Sequence, residues 1–129
     1  MNKKLIRLRY KNHEVTDACL TRHCHSVVVE FDVLNLENKK VESQRKITIE
    51  IPELWIRGKG EEFSRTLSED LFFKSLGVVF SKIQGRCFSN IEKVEEEMDV
   101  SAMNDDGLKF SSLSECEVDL YLENNENKF

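Results

Sequence analysis

The amino-acid sequence predicts an α+β fold, in which two helices pack on one face of an antiparallel β-sheet. Segments of alternating apolar and polar residues, the pattern of a half-buried strand, lie towards both ends of the chain. Between them are two segments whose apolar residues recur every three or four positions, as in an amphipathic helix. Strands linked by a hairpin, with the helices grouped together, are typical of this fold class.

The size of the chain predicts one domain. Its 129 residues are close to the usual length of a single domain, and one proline and five glycines argue against long linkers. We therefore assign residues 1–129 to one domain and expect the polar residues 124–129 to fray.

Alternation predicts four strands, at residues 4–10, 26–36, 41–51 and 115–123. A polar turn at residues 38–40 separates the second strand from the third, which predicts a β-hairpin. Pro52 ends the third strand because it has no N–H group to donate. The segment that precedes the second strand is predicted to be a polar loop.

The first predicted helix begins after Ser68, whose side chain is suited to cap the N-terminus. Apolar residues follow at helical spacing from Phe72 to Ile83, and Gly85 is suited to cap the C-terminus. Gly77 lies inside this helix, where the absence of a side chain is expected to allow close approach to a strand.

The second predicted helix covers about residues 90–98. Ser89 and Glu92 match a capping box, in which each side chain satisfies a backbone donor of the other. The residues from Asn104 to Gly107 are typical of a turn and separate this helix from the last strand.

Nothing in the sequence predicts a membrane span or a secretion signal. The longest apolar runs are only a few residues, whereas a spanning helix needs roughly 20. Arg7 and Arg9 interrupt the apolar residues of the N-terminal segment, unlike those of a signal peptide. We therefore expect a cytoplasmic protein whose four cysteines are reduced.

One segment contains the residue types needed for metal binding or nucleophilic catalysis. Its weak candidate ligands are Cys19, His23, Cys24 and His25. Cysteine and histidine are the ligands that zinc prefers, but a structural zinc site usually has a second ligand pair, and Cys87 and Cys116 stand alone. We therefore expect no metal, no cofactor and no catalytic residues.

Acidic residues are concentrated in the last third of the chain. Residues 1–88 contain 16 Lys and Arg and 12 Asp and Glu, whereas residues 89–129 contain 3 and 12. If the second helix and the last strand lie side by side, their carboxylates form one negative face. Such a face would repel nucleic acid and attract a basic protein. The candidate contact residues are Glu95, Glu96, Asp99, Asp105, Asp106, Glu117 and Asp119.

In its small size, acidic surface and lack of catalytic motifs, the chain resembles the immunity proteins of bacterial toxin systems, including contact-dependent growth inhibition. The resemblance is one of general type, and no motif identifies a particular family. It implies a protein that neutralises a cognate toxin, such as a basic nuclease, by docking its acidic face over the toxin's substrate-binding cleft.

Three other functions remain open at this point. The acidic face is also suited to a phage inhibitor that mimics nucleic acid. The Cys/His segment is suited to a small hydrolase or metal-dependent enzyme. Trp55 is suited to anchor an adaptor in a larger assembly.

Overall fold

A five-stranded sheet forms the centre of the fold. The computed structural model describes residues 3–19, 23–52, 63–98, 107–110, 112 and 115–123. The strands are β1 (Lys3–Cys19), β2 (Cys24–Asn35), β3 (Lys40–Pro52), β4 (Cys87–Phe88) and β5 (Glu117–Glu123), and the helices are α1 (Glu69–Ser81) and α2 (Ile91–Glu97). The order across the sheet is β3-β2-β1-β5-β4, and only β4 and β5 are parallel. The predicted α+β fold is confirmed.

The first strand is much longer than predicted. β1 continues through the segment predicted to be a polar loop and pairs with β2 as far as Cys19. Its register shifts between Tyr10 and Asn12 and again between Val15 and Asp17. Each β-bulge adds a residue to one strand, which interrupts the two-residue period. The bulges therefore concealed the second half of β1 from an analysis based on alternation.

The helix caps agree only in part with the predictions. Ser68 caps α1 as predicted and accepts a hydrogen bond from the Leu71 N–H at 3.1 Å. The N-cap of α2 is Asn90 rather than Ser89, and its side chain accepts from the Lys93 N–H at 3.0 Å. Asparagine and serine are similarly good N-caps, so the sequence pattern alone did not place this helix start.

The core lies between one face of the sheet and the helices. The side chains of β1, β2 and β3 that belong to the core cluster alternate along each strand, and Phe80 of α1 and Val94 of α2 belong to the same cluster. Phe31 and Phe80 join sheet to helix with their ring centroids 5.5 Å apart. The opposite face, called the open face below, is the face of the sheet away from this core.

Gly77 allows a close approach, but to a different segment from the one predicted. The Leu108 N–H donates to the Gly77 carbonyl oxygen at 3.0 Å, so the segment of residues 107–110 lies against α1. A Cβ atom on Gly77 would be 1.9 Å from the Leu108 oxygen, and one on Gly107 would be 2.8 Å from the Val78 nitrogen. The two glycines thus allow the backbone of α1 and the backbone of residues 107–110 to come into contact, whereas the sequence predicted contact between α1 and a strand.

Some predictions fall on other parts of the chain. Trp55, the turn from Asn104 and the expected fraying of residues 124–129 lie outside the described residues. No helix in the described ranges has both the length and the apolar character needed to cross a bilayer.

Candidate functional site

The predicted acidic residues of α2 are paired with basic side chains. Glu95 Oε1 accepts from Arg45 Nε at 2.8 Å, which ties α2 to β3. Glu96 lies 3.4 Å from Lys93 Nζ, one turn away on the same helix. Much of the negative charge of these two residues is therefore neutralised within the chain.

The predicted acidic residues of β5 are paired as well. Arg7 lies in register with Asp119 on the neighbouring strand β1, and its Nε donates to Asp119 Oδ1 at 2.7 Å. Arg7 Nη1 is 3.6 Å from Glu117 Oε1. Hydrogen bonding to Asp119 raises the pKa of the Arg7 guanidinium. The interaction therefore favours the charged state of this arginine.

The sheet separates the acidic residues of β5 from those of α2. Glu117 and Asp119 alternate with the buried Val118 and Leu120 and so project from the open face. Glu95, by contrast, reaches Arg45, which shares the covered face with its register partner Phe31. The structure therefore does not bring these two groups together, and Asp99, Asp105 and Asp106 lie outside the described residues.

A second group of carboxylates lies on the open face, across the far halves of β1, β2 and β3. Three successive rows of register partners form this region: Asn12, Glu30 and Lys46; Glu14, Val28 and Thr48; Asp17, Ser26 and Glu50. We call Glu14, Asp17, Glu30 and Glu50 the β1–β3 acidic patch. Lys46 is the one base in these nine positions, so the three rows have a net charge of −3.

Most of this patch is not neutralised by neighbouring side chains. Within the described part of the chain, Glu14, Asp17 and Glu30 form no ion pair, and Glu14 and Asp17 are exposed. In the next row of the open face, by contrast, Asp32 is paired with Arg9 at 3.3 Å. Three of the four carboxylates of the β1–β3 acidic patch, Glu14, Asp17 and Glu30, thus carry a negative charge that no ion pair within the described residues compensates.

Sequence reasoning missed this patch because it counted charge along the chain. All four residues belong to the region of residues 1–88, whose total charge is positive. Alternation did place Glu30 and Glu50 on the polar face of predicted strands. The first bulge of β1 hid Glu14, and the second hid Asp17.

The candidate Cys/His ligands are divided between the two faces of the sheet. His25 is fully buried on the covered face and stacks on Phe63, with their centroids 4.9 Å apart, and His23 contacts the same ring edge-on. Cys19 and Cys24 are register partners on the open face. Among the described residues, no three His, Cys, Asp or Glu side chains are placed to hold a metal ion.

A third polar cluster joins β1 to the start of α1. The Tyr10 hydroxyl lies 2.6 Å from His13 Nδ1, and the His13 ring stacks on Phe72 with centroids 3.8 Å apart. Burial lowers the pKa of His13, and the Glu69 carboxylate opposes this effect. Burial also raises the pKa of Tyr10. In the tautomer of neutral His13 that has its proton on Nε2, Nδ1 accepts the hydrogen bond of the Tyr10 hydroxyl. The hydrogen bond orients the His13 ring against Phe72, so the cluster is suited to hold β1 and α1 together.

We expect this cluster to make the stability of the protein depend on pH. The pKa of His13 in the folded state is below its unfolded value of 6.5, so the unfolded state binds more protons between the two values. The stability that neutral His13 provides is complete above pH 6.5 and is lost as the pH falls through the folded pKa. NMR titration of the His13 ring should give a pKa below 6.5, with a still lower value in Glu69→Gln. A value at or above 6.5 would contradict this account.

Comparison with known proteins found nothing similar to this chain. No protein-family model matches it, and neither does any curated protein or solved structure. The function must therefore be inferred from the surface and the side-chain geometry described above.

Proposed function

We propose that this chain is a binding protein that neutralises a basic toxin, such as a nuclease, as the immunity proteins of bacterial toxin systems do. The observation that carries the proposal is the β1–β3 acidic patch. Its three rows have a net charge of −3, and Glu14, Asp17 and Glu30 form no ion pair within the described residues. Such a net negative charge creates a negative potential in solution, which accelerates the encounter with a positively charged partner.

Its position on the open face makes the β1–β3 acidic patch a better candidate docking surface than the acidic residues of α2. Glu14 and Asp17 are exposed on the open face, and the opposite face of the sheet packs against the core. In the middle row, Val28 of β2 lies between Glu14 of β1 and Thr48 of β3. Strands fix the positions of these side chains more rigidly than a loop would, which reduces the entropy lost on binding. A toxin's nucleic-acid cleft presents lysine and arginine side chains that match such a surface.

A cytoplasmic location follows from the same proposal. An immunity protein acts in the cell that is exposed to the toxin, before the toxin reaches its substrate. Under this proposal, no metal or other cofactor is required, because inhibition depends on covering the toxin's cleft.

The first test is copurification of the tagged protein with the product of the adjacent gene, followed by measurement of the binding kinetics. A stoichiometric complex with a basic, toxic protein whose activity is lost on binding would support the proposal. If the adjacent product neither binds nor is toxic, the immunity function is contradicted.

The second test reverses the charges of the patch. The variant Glu14→Lys, Asp17→Lys, Glu30→Lys should slow association with the toxin by roughly 10- to 100-fold at low ionic strength, with a smaller effect in high salt. Stopped-flow or surface-based kinetics over a salt series would measure both quantities.

A matched control separates a local effect from a change in total charge. The variant Glu92→Lys, Glu96→Lys, Glu97→Lys changes the net charge equally, but its substitutions lie on α2, on the covered side of the sheet. It should slow association much less. Equal slowing by both variants would show that the β1–β3 acidic patch is not the docking surface.

A further inference from the structure

Cys19 and Cys24 face each other at the end of the β1–β2 hairpin. They are the last register partners in this ladder, so their side chains project from the same face of the sheet. Neither forms a disulfide in the structure, and Cys19 is half-buried whereas Cys24 is buried. Neither is needed for the proposed docking surface.

The positions of these residues suit a disulfide bond. Residues directly opposite in an antiparallel ladder have Cα atoms about 4.5 to 5.5 Å apart, within the roughly 4.4 to 6.8 Å that disulfides span. Their Cβ atoms are about 4.5 to 5.5 Å apart, and a disulfide requires about 3.5 to 4.5 Å. The Cβ atoms must therefore approach by about 1 Å, which is easier for a pair at the end of the ladder than for one inside it.

We propose that Cys19 and Cys24 are a reversible thiol–disulfide site that reacts with low-molecular-weight disulfides such as glutathione disulfide. The Cys19 thiolate attacks one sulfur of glutathione disulfide, which forms a mixed disulfide and releases one glutathione thiolate. The Cys24 thiolate then attacks Cys19 Sγ and releases the second glutathione. The two cysteines lose two electrons to glutathione disulfide, and their two protons pass to the two glutathione thiols.

The order of attack follows from the difference in burial. Cys19 is the more accessible of the two thiols, so it meets the external disulfide first. Cys24 is buried beside it and is suited to resolve the mixed disulfide rather than to form one with glutathione.

Cys87 and Cys116 serve as internal controls for the reactivity of Cys19 and Cys24. Cys87 is exposed, but its register partner is Tyr121, so no second cysteine faces it across that ladder. Cys116 is buried, and burial raises the pKa of its thiol to about 11, which leaves little reactive thiolate at neutral pH. We therefore expect an intramolecular disulfide at Cys19 and Cys24, a glutathione adduct at Cys87, and no reaction at Cys116.

The test uses the folded full-length chain in buffers of varied glutathione to glutathione disulfide ratio, followed by alkylation and mass spectrometry. Formation of the disulfide removes two thiol hydrogens, about 2 Da, and leaves two fewer thiols that can take up an alkyl group. Trypsin cuts between the two cysteines, so a digest without reductant should contain peptide 12–22 joined to peptide 23–39. This joined pair should be roughly ten times more abundant than any pair that contains Cys87.

Three variants complete the test. Cys19→Ser and Cys24→Ser should each abolish the joined pair, and Cys87→Ser should retain it. The proposal is overturned if the wild-type protein yields only single glutathione adducts, if pairs that contain Cys87 are as abundant as the Cys19–Cys24 pair, or if joining requires denaturant. The wild-type digest is decisive even if a serine variant fails to fold.

Discussion

Replacement of Gly77 by alanine should destabilise the protein by about 2 kcal/mol, although alanine is the better helix former. The new Cβ atom would lie 1.9 Å from the backbone oxygen of Leu108, so α1 and the segment of residues 107–110 would have to separate. Overpacking of this kind costs about 1 to 3 kcal/mol, and the contact here is with backbone, which places it near the top of that range. The gain of about 1 kcal/mol in helix propensity offsets only part of the loss.

Urea denaturation of Gly77→Ala and of Gly85→Ala would measure this effect. Gly85 has no atom within 4 Å of its would-be Cβ, but its φ of +69° is unfavourable for alanine, so we expect a loss of about 1 kcal/mol there. If Gly77→Ala is neutral or stabilising, helix propensity dominates and the close approach contributes little.

Replacement of Phe80 by alanine should cause the largest loss of stability, about 3 to 5 kcal/mol. Phe80 is fully buried and contacts Phe31 of β2 and, edge-on, Phe110, with ring centroids 5.5 and 5.9 Å apart. Its removal would leave a cavity where the sheet, α1 and the segment of residues 107–110 meet. Thermal and chemical denaturation would both measure the loss.

Phe73 provides the matched control, since it is the same residue type in the same helix but is only partly buried. We expect Phe73→Ala to cost less than half as much as Phe80→Ala, because less apolar area is lost and solvent can occupy the space. Equal losses for the two variants would show that α1 does not pack on the sheet through Phe80.

The sequence was most informative where the backbone is regular. The hairpin of β2 and β3 follows from alternation and a polar turn, and the cap at Ser68 follows from one side chain and its helix. The second half of β1 was missed because two bulges disturb the period. β4 was missed because a strand of two residues has no period to detect, and only its pairing with β5 defines it.

The candidate site was harder to predict because charge compensation depends on register. Arg7 and Asp119 are 112 positions apart in sequence, and Arg45 and Glu95 are 50 apart. A count of acidic residues along the chain does not show which of them meet an arginine across the sheet. Of the acidic residues that stand out from sequence, the four within the described residues (Glu95, Glu96, Glu117 and Asp119) are paired with basic side chains. Glu14 and Asp17 stand out only after the strands are aligned.

The place of β5 between β1 and β4 also has a consequence for folding during synthesis. At about 5 to 20 residues per second, translation from the end of β3 at Pro52 to the end of β5 at Glu123 takes roughly 4 to 14 s, whereas a hairpin forms within microseconds. Throughout that interval, β1, β2 and β3 can pair, but the edge of β1 that β5 will occupy, Lys3 to Arg9, lacks its strand. The nascent meander therefore presents an open strand edge beside an apolar face, which makes it a substrate for chaperones and a point at which two growing chains can associate.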